Sequence, residues 1–216
     1  MSSNGVKMLP YFHTLIFPLI HILNLQEPLH AAHKILVLKG CFRVGLYRQG
    51  LLHDMSKYGP TEFLAGCKYY KGYMSPNNAE RFEKGYSSAW LHHKGINKHH
   101  LEYWIDYGAG DEGGEGTQMV GMKMPVKYVA EMFIDRVSAS KNYQKEKYTD
   151  KSALIYYNNS KEHYILHPDT RAMLEYLLTM LWKSGEEKTF TFVKTELLKG
   201  KVPYDKNELD MRKNAL

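Results

Sequence analysis

The stretch MPVKYVAEMFIDRVSASKNY, residues 124–143, decides which fold we expect of this chain. Pro125 suits the first position of an α-helix, because the N–H group that it lacks would have no partner there. The helical pattern then runs to about Tyr143. Apolar residues form one face of this helix: Val126, Val129, Ala130, Phe133 and Val137. The opposite face is also partly apolar, which is typical of a helix in the centre of a bundle.

Asp135 is the acidic residue of that second face, beside Tyr128, Met132 and Ala139. A carboxylate at the centre of a bundle must be paired with a cation or bind a metal ion. One interpretation is an ion pair with Arg136 or a nearby Lys. The other is that Asp135 is a metal ligand, and the residue by itself does not decide between the two.

Most other segments between Gly and Pro residues have the same helical periodicity. A helix after Pro28 is predicted to present one face that contains His33, Leu36, Gly40 and Val44. Further helices are predicted over Ala79–His93, over Lys98–Tyr107 and from Pro168 onward. The one short candidate for a strand is Thr189–Val193. The predicted fold class is therefore all-α.

Length and composition favour one helical domain over residues 1–216, with 44% hydrophobic residues and a net charge of +6. The two cysteines are too few for a disulfide framework, which predicts a reducing, cytoplasmic location. The apolar stretch Leu9–Leu25 contains two prolines and is short for a membrane span of about 20 residues. We therefore expect a packing helix there and no stable membrane insertion.

The stretch Leu51-Leu52-His53-Asp54-Met55-Ser56-Lys57 is the sharpest local feature. Neighbouring residues of one regular helix point about 100° apart, so His53 and Asp54 cannot both face the core from within a helix. They can converge on a metal ion if they lie at a helix end, since imidazole and carboxylate both bind divalent ions. His33 lies on the apolar face of its own helix, either as a hydrogen-bonded core residue or as a further ligand.

A second group of histidines lies in His92-His93-Lys94-Gly95-Ile96-Asn97-Lys98-His99-His100. Two His pairs around a Gly/Asn turn can each direct one ring inward. We choose His92 and His99 as ligands, with His93 and His100 as alternates. A cluster of surface histidines, or a phosphate cradle that includes Lys94, is the other interpretation.

Downstream, His163 and His167 are four residues apart, a spacing that can bind zinc on a helix. Pro168 argues against a helix there, so we predict that His167 caps a helix and that His163 lies on the surface. Arg171 follows in the first turn and is a candidate for binding a substrate phosphate. The acidic Gly108–Gly116 loop is predicted to be a mobile lid or a tolerated insertion.

The order of His33, then His53-Asp54, then a distant Asp135 resembles that of the HD superfamily of metal-dependent phosphohydrolases. The stretch LLHDMSK is similar to the LLHDIGK-type element of that superfamily, although Met55-Ser56 replaces the usual Ile-Gly. The resemblance implies a single HD-domain-like helical bundle. Its metal core would cover roughly residues 29–143.

Beyond that core, we expect a C-terminal helical extension over 144–198 and a frayed tail over 199–216. Three segments also resemble the internal signatures of an uncharacterised bacterial and phage family with HD-like features. These segments are AWLHHKGINKHHLEYW, MPVKYVAEMFIDR and ILHPDTR. The narrower resemblance implies no activity.

The HD resemblance implies a set of site residues in this chain. The metal ligands would be His33, His53, Asp54 and Asp135, and the lysine of the motif would be Lys57. We therefore predict Asp54 and Lys57 as catalytic residues. The short gap between His33 and His53 leaves His30 or His21 as alternative first ligands, with His30 the better of the two.

The predicted function is that of a metal-dependent phosphohydrolase, a phosphomonoesterase or a phosphodiesterase, with a metal-activated water as nucleophile. The predicted cofactor is one or two divalent transition metal ions (Mn, Fe, Co, Ni or Zn), with Mg as a further option. Lys57, Lys94 and Arg171 would neutralise phosphate oxygens. The positive net charge fits a small phosphorylated, nucleotide-like substrate.

Two other classes of function remain open. The first is an HD-like di-iron oxygenase, since a histidine-rich cage also holds redox-active iron. The second is a non-catalytic module that binds a nucleotide or, less favoured, a nucleic acid. A nucleic-acid partner would make affinity fall steeply with salt.

Overall fold

The computed structural model describes residues 31–109 and 118–216, and it confirms the predicted all-α fold. The helices are α1 (31–44), α2 (Tyr47–Leu52), α3 (Pro60–Tyr69), α4 (Pro76–Lys84), α5 (Ser88–Ile96), α6 (Val126–Gln144), α7 (Ser152–Asn158), α8 (Pro168–Ser184), α9 (Glu186–Phe192) and α10 (Lys206–Asn214). Short 3₁₀ helices cover Met55–Tyr58, Leu101–Trp104, Lys145–Lys147 and Lys161–His163, and a π-helix covers Val193–Leu197.

Helix α6 lies in the core, as its two apolar faces predict. The side chains of Val129, Ala130, Phe133 and Ile134 are 0% exposed. Pro125 is the N-cap residue of α6, so the helix begins at Val126, one position after the predicted start. Burial of a large apolar side chain stabilises a fold by about 1.5–3 kcal/mol, so this buried run holds α6 firmly in place.

Helix α1 approaches α6 closely at Gly40. A Cβ atom added to Gly40 would lie 2.6 Å from Cγ2 of Ile134, so only glycine allows this approach. His33 lies about two turns before Gly40 on the same helical face. The contact therefore sets the position of His33 relative to Asp135, the residue that follows Ile134.

The predicted helix over Lys98–Tyr107 is wrong. The chain forms a 3₁₀ helix over Leu101–Trp104 and then strand β1 (Ile105–Tyr107), which pairs antiparallel with β2 (Met119–Gly121). The β1 backbone uses its hydrogen bonds in this ladder, where Ile105 lies opposite Gly121, and not in a helix. The sequence concealed this hairpin because its strands are only three residues long.

The predicted single helix over Ala79–His93 is divided into α4 and α5. Gly85 ends α4 in a left-handed conformation with φ of 82°, which glycine adopts at little cost. The Ser87 side chain then accepts a hydrogen bond from the Trp90 N–H group and caps α5. This break sets the rotation of α5, and with it the direction of its histidines.

Two C-terminal predictions are also wrong. The candidate strand Thr189–Val193 lies in α9 and the following π-helix, because Phe190 and Val193 are buried together on one helical face. The tail 199–216, expected to be frayed, contains α10, whose N-cap Asp205 accepts hydrogen bonds from two backbone N–H groups. Leu209 of α10 is fully buried, so packing against α8 stabilises the tail.

Some predicted features lie outside the described residues: the apolar stretch Leu9–Leu25, the alternative ligands His21 and His30, and residues 110–117 of the Gly-rich loop. Within 31–109 and 118–216, no helix combines the length and the apolar character that crossing a membrane requires.

We predict that Gly40→Ala destabilises the protein by about 1–3 kcal/mol, because the new methyl group forces α1 away from Ile134. Gly95→Ala is the matched control, since a Cβ at this position of α5 has no neighbour within 4 Å. The control should be neutral or stabilise by up to about 1 kcal/mol through helix propensity. Urea unfolding measures both changes, and equal effects would contradict the close approach of α1 and α6.

Glu80 anchors the start of α5. Its carboxylate accepts hydrogen bonds from the hydroxyl groups of Ser87 and Ser88 and from Lys84, and it is 1% exposed. Burial alone would raise the pKa of Glu80, but these hydrogen bonds lower it from 4.5 to about 2. The ionised carboxylate therefore stabilises the fold above pH 4.5, and this contribution is lost as the pH falls toward 2.

Glu80→Gln should accordingly lower the free energy of unfolding by about 1–3 kcal/mol at pH 7. The difference from wild type should be constant between about pH 6 and 8 and shrink as the pH falls below the ordinary glutamate range. Urea unfolding across this pH series measures the difference. A difference that does not change with pH would mean that the ionised carboxylate is not the stabilising group.

Candidate metal centre

The backbone at Asp54 explains how two adjacent residues face one point. Helix α2 ends at Leu52, His53 is its C-cap, and Asp54 has φ of 54° and ψ of 24°. This left-handed conformation is uncommon outside glycine, although Asp tolerates it better than most residues. The helix is interrupted here, and both side chains are buried, with His53 2% and Asp54 6% exposed, as expected of a pair at a helix end.

The first group of potential ligands consists of His33, His53 and Asp135. Nε2 of His33 lies 2.9 Å from Oδ1 of Asp135, and Nε2 of His53 lies 3.6 Å from the same oxygen. The three residues come from α1, from the end of α2 and from α6. This group contains three of the four ligands that the HD resemblance implies, and the fourth, Asp54, lies 3.5 Å from Nε2 of His53.

The second group consists of Asp54, His93, His99 and His100. Oδ1 of Asp54 lies 3.2 Å from Nε2 of His93 and 3.4 Å from Nε2 of His99. The rings of His99 and His53 are 4.4 Å apart, so the second group adjoins the first. Asp54 also lies 3.5 Å from Nε2 of His53 and therefore faces both groups.

Several of the inward-facing atoms have no well-aligned hydrogen bond within the described residues, although oppositely charged neighbours lie 3.2–3.6 Å away. They are Nε2 of His53, Nε2 of His99 and Oδ1 of Asp54, each almost fully shielded from solvent. Buried polar atoms are nearly always paired, so three that lack such a bond need an explanation. All three are good metal-ligand atoms, and the donor set therefore fits a transition metal ion.

Two carboxylates that the sequence analysis did not single out support the histidines from behind. Oε1 of Glu131 lies 3.2 Å from Nδ1 of His53 and 3.3 Å from Nδ1 of His99. Oε2 of Glu62 lies 2.8 Å from Nδ1 of His93. The available signal was that Glu131 precedes Asp135 by four residues on one helix and so shares its face; Glu62 offered no such signal.

The carboxylates of the centre are ionised. Burial alone would raise the pKa of Asp54, but the Lys57 ammonium and the nearby imidazoles hold it well below its usual range. Burial opposes ionisation of Asp135 as well, and the neighbouring imidazoles of His33 and His53 bring its pKa well below the usual value. The centre therefore holds negative charge that a cation can neutralise.

The imidazoles divide into two kinds. Burial alone would lower the pKa of His99, but the neighbouring carboxylates of Asp54 and Glu131 raise it to about 10. Burial and the neighbouring His99 together push the pKa of His100 well below its ordinary range. His100 is therefore neutral at pH 7, with a ring nitrogen able to act as a ligand.

His92 was predicted as a ligand, but the second group contains its neighbour His93 instead. His93 faces Asp54 and is 3% exposed, whereas the side chain of His92 is 37% exposed and its Nδ1 lies 2.8 Å from Oε1 of Glu62. The two rings point in different directions because they are neighbours on α5. His93, the predicted alternate, thus takes the inward position, and His99 lies where it was expected.

Of the predicted substrate-binding residues, Lys57 is the one that touches the centre. Its Nζ lies 2.7 Å from Oδ2 of Asp54, and its side chain is 34% exposed. Lys34, which the sequence analysis overlooked, lies next to His33 with its Nζ 4.9 Å from the centroid of the Tyr58 ring. The pKa of Lys34 is lowered, mainly by burial. The carboxylate of Asp54 raises this pKa and the ammonium group of Lys57 lowers it, so Lys34 lies close to both charged groups.

Arg171 has a structural position. Its guanidinium donates to the backbone carbonyl oxygens of Lys161 and Tyr164 at 3.1 and 2.8 Å. The arginine therefore fixes the segment before α8, and its predicted role in binding a substrate phosphate stays a prediction. Lys94 is half-buried on α5 and directly follows His93 of the second ligand group.

The remaining described histidines lie where the sequence placed them. Nδ1 of His167 accepts a hydrogen bond from the Asp169 N–H group at 3.1 Å and so caps α8. His163 is exposed in the 3₁₀ helix Lys161–His163. Neither residue belongs to a ligand group, which makes His163 a suitable control position.

Loss of a residue that only supports a metal ligand lowers metal affinity by about 10–100-fold. We predict that His53→Ala and His93→Ala, which each remove a ligand, lower metal affinity by more than this. His92→Ala should cost tenfold or less, because His92 reaches the centre only through Glu62. His163→Ala should change nothing. Co(II) titration against a competing chelator, with elemental analysis, measures the four variants, and equal affinities would place the site elsewhere.

A comparison with models of known protein families finds a match, and the matched residues include the candidate metal centre. The model of the "Family of unknown function (DUF5662)" matches residues 29–180, a span that includes every residue of both ligand groups. No curated protein and no solved structure matches the chain. Because the matched span is more than half of the chain, the chain belongs to the DUF5662 family of unknown function.

Proposed function

We propose that the chain is a metal-dependent phosphohydrolase that acts on a small phosphorylated substrate. One observation carries the proposal: Nε2 of His53, Nε2 of His99 and Oδ1 of Asp54 are buried, lack a well-aligned hydrogen bond within the described chain, and belong to adjoining groups of potential metal ligands. Ligand atoms held in this way by packing are typical of a preorganised metal site. The resemblance to the HD superfamily supports the same reading.

His33, His53 and Asp135 would hold one ion, and Asp54, His93, His99 and His100 would hold a second. Imidazole-rich donors favour Mn, Fe, Co, Ni or Zn over Mg, which prefers oxygen ligands. When bound, such an ion lowers the pKa of a coordinated water and neutralises charge that develops on phosphorus. The carboxylate of Asp54 lies beside histidines of both groups, so it would fix the position of the two metal sites relative to each other.

The protein provides an open side where substrate can approach. The exposed fraction of the side chain is 14% for His33, 20% for Asp135 and 34% for Lys57, whereas it is 0% for His53. The first group therefore opens to solvent beside α1. A phosphate would approach the centre from this side.

Lys57 and Lys34 supply positive charge on that open side. The Lys57 ammonium holds Oδ2 of Asp54 and keeps enough exposure to meet a phosphate oxygen. Lys34 projects from α1 beside Tyr58, an aromatic residue that is 54% exposed. Two ammonium groups at the entrance favour a dianionic phosphate ester, and an exposed aromatic ring beside them suits a nucleotide base.

An HD-like di-iron oxygenase is the second candidate. The observation in its favour is the second ligand group, in which three of the four residues are histidines. Two adjacent imidazole-rich positions suit redox-active iron as well as they suit a hydrolytic ion. Iron with an optical or electron paramagnetic resonance signal, together with substrate-dependent uptake of oxygen, would identify this activity.

The proposal is tested first on protein purified without added metal. Elemental analysis should find a transition metal, and the protein should hydrolyse p-nitrophenyl phosphate, bis-p-nitrophenyl phosphate or a nucleotide. Chelation should abolish hydrolysis and added Mn or Co should restore it. Asp54→Asn should abolish both metal and hydrolysis. Protein that binds none of Mn, Fe, Co or Ni would contradict both enzyme proposals and leave a binding module.

A second test addresses the lysine at the entrance. Lys57→Met should lower hydrolysis by about 100-fold, the typical cost of removing one charge-stabilising donor. Its metal content should be unchanged, because Lys57 opposes the metal's charge and is not a ligand. Lys71→Met is the control, since Lys71 is exposed and belongs to neither ligand group. Equal loss in both variants would show that Lys57 has no specific role.

A further inference from the structure

Glu131 occupies an unusual position behind the centre. Its carboxylate is 5% exposed and lies on α6, one turn before Asp135. A single oxygen, Oε1, contacts Nδ1 of His53 at 3.2 Å and Nδ1 of His99 at 3.3 Å. These two histidines come from separate segments, one from the end of α2 and the other from the turn after α5.

The contacts to Glu131 determine which ring nitrogen faces the centre. A carboxylate accepts hydrogen bonds and cannot donate them, so Nδ1 of each ring must carry the proton. A bound metal ion would displace the second ring proton, and Nε2 would then present its lone pair to the ion. The Nε2 atoms of His53 and His99 are the two that lack a well-aligned hydrogen bond in the described chain.

We infer that Glu131 is a positioning residue that fixes the tautomer and the orientation of His53 and His99 together, and so couples the two metal positions. His53 belongs to the first ligand group and His99 to the second, and the two also form a third possible group with Glu131 itself. Loss of Glu131 should therefore weaken both positions at once. The inference rests on the metal centre of the proposed function and is independent of the reaction that the centre performs.

Glu62 provides an internal comparison. Its Oε2 contacts Nδ1 of His93 at 2.8 Å, and its Oε1 contacts Nδ1 of the half-exposed His92. Only His93 belongs to a ligand group, and that group is the second. Removing the Glu62 carboxylate should therefore weaken one metal position and leave the other unchanged. The two glutamates thus differ in how many ions depend on them.

The test is a Co(II) titration of the full chain, with stoichiometry, affinity and visible absorption measured for each variant. Glu131→Gln, which keeps the size of the side chain, should lower the affinity of both ions by about tenfold, and Glu131→Ala by about 100-fold. Glu62→Gln should lower only the second. Glu175→Gln is the matched control, because Glu175 is a partly buried carboxylate that binds Tyr157 and Lys213 instead.

A second readout does not depend on affinity. Long-range ¹H–¹⁵N spectra of the Zn(II) protein should show His53 and His99 protonated at Nδ1, and Glu131→Gln should shift both Nδ1–H signals. Thermal melts of each variant establish that it is folded. Glu131→Gln should retain more metal affinity than Glu131→Ala. The pattern of ring N–H signals then distinguishes a hydrogen-bond acceptor from a residue that merely fills space.

Three results would overturn the inference. Glu131→Gln could bind both ions with wild-type affinity, or it could lose only one of them. The Zn(II) protein could also bind the metal through Nδ1 of His53 and His99, which would make Glu131 a ligand of a third arrangement. Wild-type protein that binds two ions and hydrolyses no phosphate ester would refute the proposed reaction while leaving the role of Glu131 intact.

Discussion

The burial of the Asp54 carboxylate is the constraint on which the centre depends. A buried negative charge is costly unless cations or hydrogen-bond donors surround it. The compensating groups are Lys57, three residues away, and the imidazoles of His93 and His99, which come from a different part of the chain. The carboxylate of Asp54 therefore holds the end of α2 and the region around α5 together. The backbone of Asp54 is in the left-handed conformation.

Helix α6 is the rigid support against which the other segments are placed. Its apolar residues are packed in the core, while Glu131 and Asp135 project from it toward the histidines. Gly40 lets α1 approach at Ile134, so that His33 reaches Asp135. A site whose carboxylates lie on a buried helix is held more firmly than a site built on loops. This support explains why several segments can meet with ligand atoms within 4.8 Å of one another.

Much of the centre was predictable because its determinants are local. The helix end at His53-Asp54 follows from the impossibility of two neighbouring side chains facing one direction within a helix. The central position of Asp135 follows from the two apolar faces of α6. The choice between His92 and His93 was not predictable, because it depends on the rotation of α5 after the break at Gly85.

Glu131 and Glu62 show the limit of the sequence most clearly. An acidic residue on a helix is ordinarily solvated; the spacing of Glu131 from Asp135 indicates a shared helical face, but neither glutamate is marked locally as the partner of a particular imidazole. By itself the sequence determined the all-α fold, the helix end that carries His53 and Asp54, and the central helix that carries Asp135. Only the tertiary structure decided which histidine of each pair faces inward and which carboxylates support the rings. Those choices depend on helix rotation and packing between segments far apart in the chain, which no local pattern encodes.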